Sequence, residues 1–144
     1  KKILGLWDAI NEFVLIKQKP IFGICFGFEL IASVFGSELE MMQNREKGIL
    51  NVEVISPDEI FLGLNNFEVY EGHRWVIKDP ASELKYLAKS KDGIEAIKHQ
   101  YKEIYGVQFH PEMFVNITQG EKVLENFLKI IYYLKNVLEK EGCI

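Results

Sequence analysis

One stretch, "KPIFGICFGFELIASVFG" at residues 19–36, constrains the fold of this chain more than any other. Its apolar run "IFGIC" follows a proline and is short, which reads as a buried strand. From Gly27 onward, Phe28, Leu30, Ile31, Val34 and Phe35 recur at helical spacing until Gly36 stops them. A strand that passes so quickly into a helix must turn sharply at Cys25. Gly23 and Gly27, two residues before and two after it, allow that turn without side-chain collisions and leave the cysteine on a strained elbow. The thiol then stands at a helix N-terminus, where the dipole favours thiolate. The Phe26 amide points where an oxyanion would form. A lone cysteine among apolar residues is more often a packed core side chain, so a second feature has to decide.

That feature is "YGVQFHPE", a strand ending at His110, Pro111 and Glu112. A thiol nucleophile needs a base that titrates near neutrality, and histidine is the usual one. A carboxylate holds such an imidazole in the right tautomer. Histidine and glutamate two apart around a proline can converge on one point. Alone they read as a satisfied loop histidine; beside the cysteine elbow they complete a thiol–imidazole–carboxylate set.

The remaining pattern places these two features on one fold. Ile3, Leu6, Trp7, Ile10, Phe13 and Val14 predict an amphipathic helix over residues 3–16. With the strand, turn and helix that follow, this is the grammar of an α/β domain with a parallel sheet. "GILNVEVI", "FEVYEGHRWVI", "LKYLAKS" and "GIEAIKHQ" read as further strands. Residues 119–140 predict a long helix with Val123, Leu124, Phe127, Leu128, Ile131, Leu134 and Leu138 inward, and "EGCI" reads as a frayed end. The chain of 144 residues suits one domain. A net charge of −4 gives no basic field for nucleic acid or anionic membrane, and no apolar run approaches a membrane span. Asp8 and Glu12 rule against a signal-peptide core. Two cysteines, Cys25 and Cys143, make no disulfide framework, so a reducing cytoplasmic setting is expected. No clustered Cys/His set offers a metal site, and no cofactor is expected.

At this point "PIFGICFGFELIASVFG" and "YGVQFHPE" resemble the two signature blocks of class I glutamine amidotransferases. The likeness spans residues 19 to about 127, and "IEAIKHQYKEIYGVQFHPE" is most similar to the glutaminase part of GMP synthases. The resemblance implies a three-layer, mostly parallel sheet flanked by helices, in one domain over residues 1–144 whose N-terminal strands are missing. It implies hydrolysis of the side-chain amide of L-glutamine through a cysteine thioester, with ammonia delivered to a synthase partner. Carried over position by position, Cys25 is the nucleophile, His110 the base and Glu112 its orienter. Phe26, Gly27, Glu29 and His73 fall at substrate-binding positions, and His73 with Arg74 and Trp75 is a candidate partner contact. His99 is expected to be a surface or strand residue without a role.

Two departures from the family pattern matter. Glu29, four residues after Cys25, stands where the family usually has glutamine. A carboxylate there loses the amide donors and sets negative charge near both thiol and substrate carboxylate, which raises the thiol pKa. The family's glycine-rich loop, source of another oxyanion donor, would precede residue 1. Glu29 keeps two other readings open: a binding or regulatory module with weakened turnover, and a thiol hydrolase of other γ-glutamyl compounds.

Overall fold

Side chains alternate across the central strands, and that alternation builds two cores. In the computed structural model, which describes residues 2–17 and 19–142, Ile21 and Ile104 face one side of the sheet and Phe22, Tyr105 and Val107 the other. Only the backbone is described for residues 2–4, 6, 7, 14 and 15, and Cys143 lies outside the described residues. Helix α1 (Lys2–Asn11) ends in a π-helical turn, Glu12–Ile16. Strand β1 (Ile21–Ile24), helix α2 (Phe26–Val34) and strands β2 (Glu38–Val54), β3 (Asn66–Asp79), β4 (Leu84–Ser90), β5 (Gly93–His99) and β6 (Ile104–Val107) follow. Helix α3 (Gly120–Lys140) closes the described fold.

The six strands form one sheet in the order β1-β6-β5-β4-β2-β3. The α/β layering matches the expectation from sequence, but the strand directions correct it. Among the described residues only β1 and β6 run parallel; the other four pairings are antiparallel. The reason is connection length. Turns at "KDG" and "HQYKE" are too short for a crossover helix, so β4, β5 and β6 must reverse at each step. Strand β2 is also longer than "GILNVEVI", because "ELEMMQNREK" continues the pairing with β3 across an irregular register at Met41–Glu46.

Helix α2 covers one face with Phe28, Ile31 and Ala32, packed with Ile97, Ile104 and Leu84. Helix α3 covers the other with Val123, Phe127 and Ile130 against Val69, Tyr105, Val107 and Phe109. Leu128 and Leu138 of α3, expected inward, are exposed, and Ile130 is buried in their place. Strands β3 and β5 are not neighbours in the sheet, yet the sheet curls enough for them to touch.

The approach of α2 to β1 is among the tightest in the fold. A Cβ on Gly23 would lie 2.6 Å from the Gly27 carbonyl carbon and 2.6 Å from Ile31 Cδ1, whereas a Cβ on Gly27 would meet nothing within 4 Å. Gly23 is therefore fixed by packing, and Gly27 is not. We expect Gly23→Ala to destabilise by about 1–3 kcal/mol through overpacking. Gly27→Ala, inside a helix, should be neutral or stabilising by about 0.5–1 kcal/mol. Urea midpoints of the two variants measure this, and equal stabilities would refute the packing account.

Candidate active site

Cys25 is the residue on which the strand-to-helix turn closes. Its amide donates to the Val107 carbonyl at 2.8 Å, and its own carbonyl accepts from the Glu29 amide at 3.1 Å. Held from both sides, it takes φ 51° and ψ −103°, a positive φ that a non-glycine residue adopts only under constraint. The turn aims the thiol at β3, where Sγ lies 4.0 Å from the Gly72 carbonyl oxygen.

The histidine reaches the same point from the opposite side. The His110 amide donates to the Tyr70 carbonyl at 2.8 Å, which fastens the segment after β6 to β3. Its Nδ1 donates to Glu112 Oε1 at 2.8 Å, since an ionised carboxylate can only accept. The Nε2 edge is left free and lies beside Gly72: a Cβ there would be 3.8 Å from Nε2. Thiol and imidazole thus converge on one glycine, the sulfur at its carbonyl oxygen and the ring beside its Cα. Behind His110 the packing is close. A Cβ on Gly120, at the start of α3, would lie 2.6 Å from Pro111 Cα, so α3 butts directly against the loop that bears His110 and Glu112.

Glu29 faces the thiol side and not solvent. It is buried, and its Oε1 accepts from Gln108 Nε2 at 3.2 Å; the same nitrogen is 3.9 Å from Cys25 Sγ. Burial holds the Glu29 carboxyl above the usual range, against the opposing pull of Gln108 and His73. The thiol is also raised, first by burial, then by Glu29, with a smaller push from Glu71; the Phe26 and Gln108 N–H groups work the other way. The helix terminus favours thiolate, but desolvation and carboxylates outweigh it and the donors, with Glu29 acting in the direction expected from its spacing. The Phe26 amide does point at the sulfur, as the turn geometry requires.

His73 is placed differently from the expectation. Its side chain is fully buried, with Nδ1 2.9 Å from the Trp75 carbonyl oxygen and Nε2 3.2 Å from Glu71 Oε2. A ring so enclosed presents no face to an incoming partner, because the inward side of β3 carries it beneath Gly72. Trp75 and Arg74 are exposed, and Trp75 borders a shallow hollow with Phe26, Glu29 and Leu30. His99 is buried at the end of β5, where its Nδ1 accepts from the Tyr101 and Lys102 amides at 3.1 and 3.2 Å. It is a turn-stabilising residue.

Sequence reasoning missed Gly72, Tyr70 and Gln108. Gln108 was within reach: two residues before His110, it shares a face with it by strand alternation. Also missed was a buried acidic pair below the site. Burial pushes the Glu71 carboxyl up to about 7, with Asp92 and Glu46 adding to it, and Glu95 is raised well above its ordinary value for the same first reason.

This fold and this site define a class. Residues 4–131 match the family described as glutamine amidotransferase class-I, and the chain belongs to that family. Among similar proteins, a glutamine-hydrolyzing GMP synthase subunit from Pyrococcus abyssi is 39% identical over 132 residues, covering 90% of this chain and 66% of the relative. The Pyrococcus furiosus counterpart is 41% identical over the same shares. The chain thus spans just under two thirds of the length of these curated relatives. The crystal structure of a protein assigned as a GMP synthase subunit from Thermoplasma acidophilum aligns with TM-score 0.85 at 28% identity, over 94% of this chain and 69% of that one. A glutamine amidotransferase from Thermotoga maritima shares the fold at TM-score 0.70 and 23% identity, over 97% of this chain and 56% of that one.

The electrostatics yield a direct test. Glu29→Gln removes a negative neighbour at nearly the same volume, so ionisation of Cys25 becomes easier and its pKa falls. The pH profile of Cys25 alkylation should shift to lower pH by about 0.5–1 unit, or about 0.7–1.4 kcal/mol. A profile that does not move would show that Glu29 has no hold on the thiol.

Proposed function

We propose that this chain hydrolyses the side-chain amide of L-glutamine and supplies the ammonia to a synthase partner, in the manner of a GMP synthase glutaminase. The observation that carries the reading is the convergence of the Cys25 thiol and the free Nε2 of His110 on Gly72, with Nδ1 already committed to Glu112. The names of the Pyrococcus relatives support the glutamine and synthase assignments.

The chemistry follows from the atoms. His110 Nε2 takes the thiol proton, and the Cys25 sulfur attacks the carboxamide carbon. Negative charge then collects on the amide oxygen, where the Phe26 N–H is the donor at hand. The proton on Nε2 passes to the departing nitrogen, which leaves as ammonia and forms the thioester. Water enters, gives a proton to Nε2, and its oxygen displaces the sulfur to release glutamate. Glu112 holds the ring throughout and stabilises the imidazolium. Phe26, Gly27 and Glu29 line the substrate side of the turn in this reading.

The raised thiol pKa favours a second reading, a site that turns over slowly until a partner docks. It is distinguished from the first by ammonia release with and without the synthase.

A glutamine-analogue electrophile should label Cys25, located by mass spectrometry, and leave Cys143 unmodified. His110→Ala should lower kcat by at least about 100-fold, within the 10²–10⁴-fold span of a general base, with circular dichroism unchanged. Glu112→Gln should cost less. Labelling at Cys143 in place of Cys25, or full activity in His110→Ala, would overturn the assignment.

A further inference from the structure

Beneath Gly72 lies a group of side chains that the glutaminase chemistry does not use. Glu71 and His73 come from β3 and Glu95 from β5, and one ligating atom of each lies within 4.8 Å of the others. All three residues are at most 3% exposed. Both oxygens of Glu71, Oε2 of Glu95 and Nε2 of His73 lack a hydrogen-bond partner.

Their orientation is what a cation requires. The Nδ1–H of His73 is spent on the Trp75 carbonyl at 2.9 Å, so Nε2 carries the ring's lone pair. That lone pair faces Glu71 Oε2 at 3.2 Å, acceptor against acceptor. Ser90 Oγ donates to Glu95 Oε1 at 2.6 Å, which fixes this carboxyl and leaves Oε2 turned to the group. A backbone carbonyl on the far nitrogen of a ligating histidine, and a hydroxyl on a ligating carboxylate, are the supports that metal ligands have around them. Two carboxylates and a neutral imidazole balance one divalent charge. No Lys or Arg is within ion-pair distance of Glu71 or Glu95 among the described residues. Arg74, three residues from Glu71, is exposed; Lys98, three from Glu95, pairs with Asp58 at 3.3 Å, and Lys91 is engaged by Glu46 at 3.2 Å.

We propose that Glu71, His73 and Glu95 form a buried binding site for a divalent transition-metal ion of the zinc type. One nitrogen and two carboxylate oxygens suit zinc, cobalt or manganese better than calcium, which takes six to eight oxygens. Around a tetrahedral ion at about 2.1 Å the donor atoms sit about 3.4 Å apart. The Glu71–His73 pair is already near that spacing at 3.2 Å. With Glu95 anchored by Ser90, its ligating oxygen lies within 4.8 Å of both, so closing on an ion needs a small inward shift of the strands. The ion clips β3 to β5, two strands that do not pair, and so pins the curl of the sheet under Gly72. Its role is structural, and water or Asp92, whose Oδ2 is also buried and unpartnered, completes the coordination.

The test uses the whole chain with Cys25 and Cys143 both changed to serine, so that no thiolate can bind metal. After dialysis against a chelator, Co²⁺ is titrated and followed by visible absorption, with bound metal counted by mass spectrometry of the native protein. One Co²⁺ per chain, four-coordinate bands, displacement by Zn²⁺ and a higher Tm are the expected results. Glu95→Gln and, separately, Glu71→Gln should weaken Co²⁺ affinity by more than about 100-fold, since changes around a ligand alone cost 10- to 100-fold. If the parent takes up no stoichiometric Co²⁺, the group is satisfied by a shared proton and the proposal falls. It falls equally if both glutamine variants bind as well as the parent. Should either variant fail to fold, the parent titration still decides, and none of these readouts depends on glutaminase activity.

Discussion

The contact on which the rest of this structure depends is the near-collision between Gly23 of β1 and the first turns of α2. With no side chain at Gly23, the helix backbone at Gly27 and the Ile31 methyl settle directly onto the strand. The chain then has no room for a relaxed connection, and Cys25 absorbs the mismatch at φ 51°. Strain of this kind costs on the order of 1–3 kcal/mol and persists only where packing over-determines it. Here Phe28 and Ile31, buried beneath α2, supply that packing. A dense core and an awkward cysteine are two sides of one arrangement.

How much of this was legible in the sequence follows from which interactions are local. The elbow at Cys25 was legible because a strand, two glycines and a helix lie within a few residues. The link from His110 to Glu112 was legible because both sit on one short segment. Strand direction was not: it depends on which strands pair, and the short turns around β5 argue for antiparallel pairing more strongly than the opening helix–strand–helix unit argues for parallel. His73 was misplaced because the two faces of β3 look alike as text, both mixing polar and apolar residues. The inward position of Glu71 and His73 appears only when β3 curls against β5. The thiol pKa was half legible. Glu29 announced itself by its spacing, but burial, the larger effect, belongs to the assembled fold.

Acidity gathers around the proposed nucleophile in two layers. Glu29 and Gln108 form the nearer one, sharing the Nε2 hydrogen that also approaches the sulfur. Glu71 and Glu95 form the deeper one, separated from the thiol by Gly72. Glu29 in the nearer layer and Glu71 in the deeper one both push the thiol pKa up, against the Gln108 N–H, so the thiol stays protonated more readily than its helix-terminal position alone would make it. The family fold supplies the geometry; this chain's own residues set how readily the sulfur ionises.

The abutment of Gly120 against Pro111 has a mechanical consequence. Cys25 is carried by α2 on one face of the sheet, while the loop bearing His110 leans on α3 on the other. The two halves of the site therefore lean on different helices, while the Cys25–Val107 hydrogen bond and the β1–β6 pairing tie them to one sheet. A push along α3 bears first on the loop that carries the imidazole. A push on α2 bears first on the cysteine. Alignment of sulfur and nitrogen is thus a comparison between the two faces of the molecule, sensitive to any load that bears on one and not the other.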